Sequence, residues 1–170
     1  MKVYFKYDSH SSYPPEPKKP SSNRSSQGRI LPIALDKDGR ERIGFVASNQ
    51  YEPYALFHQD PSFISQLPNF HLPMLGVGSF RAFEIADDSM FPLEPGAIVV
   101  GEYVKDWAKI QSGKTCIVLH KEQGLLYRRL YPQKQKAEIR LLAEKRSYPA
   151  QTVNLSKIYE IWQARMFMSL

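Results

Sequence analysis

The sequence predicts an all-β domain, a rolled sheet or barrel of short strands, behind a flexible N-terminal arm. From residue 78 onward, short apolar runs follow one another, each bounded by Gly, Pro or charged turn residues. Hardly any stretch shows a helical period, which is the pattern of a small β architecture. A composition of 42% hydrophobic and 12% aromatic residues over 170 positions supplies enough apolar surface for one core, so a single domain from residue 29 to 170 is expected.

Taken in order, residues 8–28, DSHSSYPPEPKKPSSNRSSQG, are Ser- and Pro-rich with almost nothing apolar. Such a segment buries too little to offset the entropy of being ordered, so residues 1–28 are expected to form a basic arm. The opening residues alternate Val, Tyr and Phe with Lys, a pattern compatible with a strand. RILPIAL and RIGFVAS then predict two strands, joined by DKDGRE, whose Asp-Gly is a strong hairpin signal. YEPYALFHQDPSFISQLPNFHLP carries four prolines and predicts an extended, irregular path, with one helical turn at SFISQL beginning at Pro61 and Ser62. Strands are expected next in FRAFEIA, AIVVGEYV, TCIVLH, GLLYRRLYP, AEIRLLAE and KIYEIWQARMFM.

Several function classes are not expected. One cysteine, Cys116, allows no intrachain disulfide, and four scattered histidines have no metal-ligand spacing, so no metal or other cofactor is expected. Cys116 sits in an apolar strand and is expected in the core, with His58, His71 and His120 in loops or at the surface. MKVYFKYDSH turns polar too early for a signal peptide, and no apolar run approaches a membrane span, so a cytoplasmic protein without membrane contact is expected. The net charge of +6 owes +4 to residues 1–29. Residues 121–146 are also basic but are opposed by Glu84, Asp87, Asp88, Glu94, Glu102 and Asp106, so a mixed-sign solvated surface is expected. No helical segment long enough for a helix-turn-helix precedes residue 29, so direct sequence-specific DNA binding is not expected.

Chemistry is concentrated around Ser89. Its hydroxyl becomes a nucleophile only if a neighbour accepts its proton. Asp87-Asp88-Ser89-Met90-Phe91-Pro92, then Glu94-Pro95-Gly96-Ala97 before a hydrophobic strand, then GLLYRRLY and RLLAEKRSYPAQTV, resembles the C-terminal domain of the LexA-type self-cleaving regulators, with their signal-peptidase-like β-fold. The resemblance covers about residues 30–165. It implies Ser89 in the nucleophile position of a Ser-Lys dyad, with the first glycine of the motif replaced. The upstream PSFISQLPNFHLP and RAFEI resemble the regulator branch.

Two departures weaken the implied activity. The base in that family is a lysine kept neutral by burial, and its position here is Arg128, within Tyr127-Arg128-Arg129-Leu130. A guanidinium titrates near 12.5 to 13.8 and does not serve as a general base at neutral pH. The family cuts its own Ala-Gly bond, and alignment puts Asn49 and Gln50 there, in a degenerate cleavage loop spanning residues 46–58. A LexA-like regulatory, protein-binding domain that has lost autoproteolysis is therefore expected. It would act in transcriptional or stress-response regulation, as a homodimer or with a full-length regulator or other protein partner. Ser89, Met90 and Arg128 would form a polar binding floor, unless Asp87 or Asp88 closes it by pairing with Arg128. Trp162, Tyr159 and Phe167 could line a partner surface or equally belong to an alternating strand that packs one face on the core, and the apolar C-terminal segment could offer a strand edge or a hydrophobic patch. Two alternatives stay open: an active peptidase in which Lys121 or Lys145 reaches Ser89, and a UmuD-like polymerase accessory protein.

Overall fold

The computed structural model describes residues 3–4, 31–39, 41–133 and 136–169. Apart from Val3–Tyr4, the arm expected at residues 1–28 lies outside the described residues. The rest is mostly strand, in one mixed sheet with few helices. The strands are β1 (Val3–Tyr4), β2 (Ile33–Leu35), β3 (Glu41–Val46), β4 (Asn69–Phe70), β5 (Phe80–Glu84), β6 (Ile98–Tyr103), β7 (Lys114–His120), β8 (Gly124–Gln133), β9 (Glu138–Leu142), β10 (Gln151–Asn154) and β11 (Ile158–Met168). Two short helices, α1 (Tyr51–Phe57) and α2 (Pro61–Gln66), follow β3.

The sheet runs β1-β2-β3-β5-β6-β11-β7-β8-β9-β10, with β4 beside β3. All pairs are antiparallel except β3 with β5, where Gly44 faces Arg81. The order begins at β1 and ends at β10 without the two pairing, so among the described residues the sheet is open: of the expected rolled sheet or barrel, the barrel is not closed. β11 is a central strand. Ile158 to Gln163 pair with β7, and Trp162 to Met168 pair with β6, around a bulge between Ala164 and Met166. The segment is therefore paired on both sides only at Trp162 and Gln163, while Ala164–Met168 pair with β6 alone.

The hairpin forms where Asp-Gly predicts it, with Gly39 at φ 77° in the turn and Ala34 opposite Arg42. Close packing fixes a second glycine. A Cβ on Gly101 would lie 2.7 Å from the Trp162 Cβ, so β6 can pass the indole only without a side chain there.

Residues 51–57 correct the expected irregular path. Pro53 is the third residue of α1, where backbone N–H groups have no intrahelical acceptor, so the ring removes no helical hydrogen bond. α2 begins at Pro61 as the sequence predicts, capped by the Asp60 carboxylate, which accepts from Ser62 N at 2.8 Å. Both helices pack on one face of the sheet. Tyr54, Ile64 and Leu67 join Val46, Phe83, Val99, Ile117, Leu119 and Trp162 in the main core. On the other face, Ile43, Phe80, Ala82 and Val100 form one cluster, and Cys116, Val118, Leu130, Ile139, Leu141 and Ile161 form another.

Candidate functional site

Ser89 lies in the loop between β5 and β6, which folds back on itself. Ile85 N donates to Ala97 O at 2.7 Å and Gly96 N to Ile85 O at 2.8 Å, closing the loop's base. Met90 and Leu93 turn inward and are buried, and the peptide between Phe91 and Pro92 is cis. Ser89 is fully buried, 0% exposed. Its backbone N–H donates to Asp87 Oδ1 at 3.0 Å. Its carbonyl accepts from Glu144 N at 2.9 Å and Lys145 N at 3.0 Å, which ties the turn to the segment after β9.

Arg128 reaches the same point from β8, where it faces Cys116 across the ladder. It is 6% exposed. Its Nη1 donates to Ser89 Oγ at 2.5 Å and to Tyr127 O at 2.7 Å, and Nη2 donates to Asp87 Oδ2 at 3.5 Å. The guanidinium carbon stands 5.4 Å from the centre of the Tyr148 ring. The sequence motif and its base position are thus in contact, but the contact has the wrong polarity for catalysis. A permanent cation donates into the serine oxygen instead of accepting its proton. Asp87 closes the pair, with its side chain 38% exposed. Ser89, Met90 and Arg128 are all buried and Asp87 pairs with Arg128, so the condition under which the expected binding floor closes is met.

The two alternative lysines have other occupations. Lys145 lies beside Ser89 in the backbone, but its amine pairs with Asp88 Oδ2. That hydrogen bond holds the ammonium above its ordinary pKa, away from the neutral form a base requires. Tyr148 OH donates to Asp88 Oδ1 at 2.8 Å, and the two partners hold the Asp88 carboxyl below its usual range. Lys121 follows β7 five residues after the Cys116 that faces Arg128, about 17 Å along the strand. Its ammonium stands over the Tyr159 ring at 5.2 Å.

Among the described residues no hydrogen bond joins Asn49 or Gln50 to Ser89. They belong to a tight turn, Ser48–Gln50, that feeds α1, and Asn49 is exposed. The turn is anchored at Glu84: Ser48 N and Oγ both donate to Glu84 Oε2, at 2.8 and 3.1 Å, and Tyr51 OH donates to Glu84 O. The region read as a degenerate cleavage loop at residues 46–58 is thus mostly a turn and a helix. A cavity of about 940 Å³, lined by Ile43, Leu72, Phe80, Glu102 and Arg165 among others, lies apart from these residues.

Burial pushes the Cys116 thiol up to about 12, so it stays protonated at neutral pH, consistent with a core residue. His71 is exposed and His58 lies in the turn after α1, as expected of loop residues, although His58 is buried; His120 is buried at the end of β7, outside the expected loop or surface. His58 lies against the Tyr159 ring, centroids 4.7 Å apart. His120 Nδ1 accepts the backbone N–H groups of Glu122 and Gln123, which forms the turn into β8. Of the expected partner-surface aromatics, Trp162 is buried while Tyr159 and Phe167 are exposed.

One buried cluster escaped the sequence reading. Arg81 Nη1 donates to Tyr54 OH at 2.7 Å, Tyr54 OH donates to Glu160 Oε2 at 2.5 Å, and Trp162 Nε1 donates to the same carboxylate oxygen at 3.0 Å. Arg81 Nη2 adds Pro32 O at 2.9 Å, and the guanidinium stacks 4.8 Å from the Trp162 ring. Among the described residues Arg81 Nε has no hydrogen-bond partner. Its only trace in the sequence is a charged residue inside the apolar run FRAFEI. Neither family models nor curated proteins give a match to the chain.

Proposed function

We propose that this chain is a LexA-like β-domain that does not cleave itself and acts through protein partners in transcriptional or stress-response regulation, by pairing of like domains or by joining a full-length regulator. The observation that carries the reading is the hydrogen bond from Arg128 Nη1 to Ser89 Oγ inside a buried site. A hydroxyl in that position needs a proton acceptor, and loss of a general base alone costs about 10² to 10⁴ in rate. The anchoring of Ser48 and Tyr51 to Glu84 supports the same reading, because it engages the would-be substrate segment in hydrogen bonds of its own.

The test is intact mass after prolonged incubation at raised pH. The wild-type chain stays full length. A fragment ending near residues 48–50, lost in Ser89→Ala, would defeat the proposal. Arg128→Lys alone is expected to restore little, since Asn49 and Gln50 remain a poor substrate. The informative variant combines Arg128→Lys with Asn49→Ala and Gln50→Gly. Sedimentation of the same samples reads the pairing, which a concentration-independent monomer would remove from the proposal.

A further inference from the structure

The net charge of +6 conceals a polarity along the sheet. Residues 30–106 carry five Lys or Arg against eleven Asp or Glu, a balance of −6, whereas residues 107–157 carry eleven against three, a balance of +8. The strand order separates the two stretches across β11, with β2, β3, β5 and β6 on the acidic side and β7 to β10 on the basic side. Of the six acids that oppose the basic stretch in composition, Asp87, Asp88 and Asp106 also pair with it in space, all near the β5–β6 loop or the start of the stretch.

Part of the basic excess is neutralised in place. Lys109 pairs with Asp106, Arg128 with Asp87, Arg129 with Glu144, Lys145 with Asp88 and Lys157 with Glu122. Among the described residues Lys114, Lys136, Arg140 and Arg146 make no ion pair, and all four are exposed. Their placement follows from the ladder. Leu130, Ile139, Leu141 and Val153 point into the core, so the alternate residues of β8, β9 and β10 face outward. Tyr131, Arg140 and Thr152 form one row across the three strands, followed by Gln133, Glu138 and Asn154. Tyr131 is 36% exposed and, with Pro132, Gln133, Arg140 and Leu142, lines a shallow cavity of about 280 Å³. Lys136 sits in the turn before β9 and Arg146 in the loop after it, whereas Lys114 lies opposite Leu130 and so belongs to the other face.

We propose that this outer face of β8, β9 and β10 binds single-stranded nucleic acid without sequence preference. Cations bracket both ends of β9 with Arg140 midway, a row suited to successive phosphates. An exposed aromatic ring directly across from that arginine suits a stacked base, since every base has a π-face. An acidic protein would use the cations and leave the ring idle, and this decides between the two polyanions. Glu138 is the acid on the face and opposes binding there.

The test is fluorescence anisotropy of the full chain with a labelled oligo(dT) of about 20 nucleotides at several salt concentrations. Lys136, Arg140 and Arg146 give a slope of log affinity against log salt of about −2. Arg140→Ala reduces that slope by about 0.7. Tyr131→Ala weakens binding about tenfold with the slope unchanged, while Tyr131→Phe retains wild-type affinity. Glu138→Gln tightens binding. The proposal is overturned by an absence of binding, or by Tyr131→Ala binding as wild type. Equal affinity for polyglutamate of the same charge would also overturn it, by identifying an acidic protein as the partner. So would loss of binding in Lys18→Glu with Lys19→Glu while Arg140→Ala has no effect, which would assign the binding to the arm.

Discussion

Arg81 and Arg128 are guanidinium groups buried in the same sheet, 3% and 6% exposed, and they are compensated in opposite ways. Arg81 is answered inside the core. A tyrosine hydroxyl links it to the buried carboxylate of Glu160, a backbone carbonyl takes a second donor, and the Trp162 ring covers its face. Arg128 is answered at a boundary. Its carboxylate partner is a half-exposed Asp87 at 3.5 Å, and its shortest bond goes to the neutral Ser89 hydroxyl. A charge enclosed with its counter-charge joins elements together, here α1, β5 and β11. A charge at the boundary answered by a half-exposed carboxylate ties only neighbouring segments, here β8 and the β5–β6 loop.

The comparison breaks first at Arg81. Arg81→Ala leaves Glu160 buried without its cation and is expected to cost about 3 to 5 kcal/mol, read as a lowered denaturant midpoint. A loss under about 1 kcal/mol would mean that the cluster is incidental. Arg128→Ala is expected to cost less, about 1 to 3 kcal/mol, because it removes donors from a neutral hydroxyl and leaves Asp87 free to meet water. Partner binding sharpens the contrast. If binding falls by more than stability does in Arg128→Ala, the group serves the site, and equal losses would make it as structural as Arg81.

The smallest effect belongs to the exposed pair beside the serine. Lys145 and Tyr148 hold the Asp88 carboxyl below 3.8, so their contribution is present above that pH and is lost as pH falls through the lower folded value. Asp88→Asn should barely move the midpoint at neutral pH and should flatten its dependence on acid. A large loss at neutral pH would place this pair with Arg81.

How much of this was legible differs element by element. β5 to β9 and β11 announce themselves because apolar runs stop at Gly, Pro or charge. β10 does not, since QTVN has a single apolar residue and owes its place to pairing with β9. α1 was hidden by Pro53, which reads as a breaker until its position in the first turn is known. The contact between Ser89 and Arg128 was legible through a family resemblance. The ion pair with Asp87 was open, because sequence separation carries no information on which of two adjacent carboxylates turns inward. The Arg81 cluster was illegible for a further reason: Tyr54, Arg81 and Glu160 come from three distant segments, and only the completed sheet makes them neighbours.

The long strand β11 has a consequence for the order in which the molecule is built. It alone joins β6 to β7 in the ladder, and it follows both in the chain. During synthesis the β2–β6 and β7–β10 groups can each form local pairs, but the two remain unzipped from one another until residues 158–168 emerge. Until then the flank of each group is a bare strand edge, the kind of surface that captures other nascent chains. Glu160 arrives with that strand, so the Arg81 guanidinium waits for its counter-charge until the same moment, and closure of the sheet and neutralisation of its core become a single event.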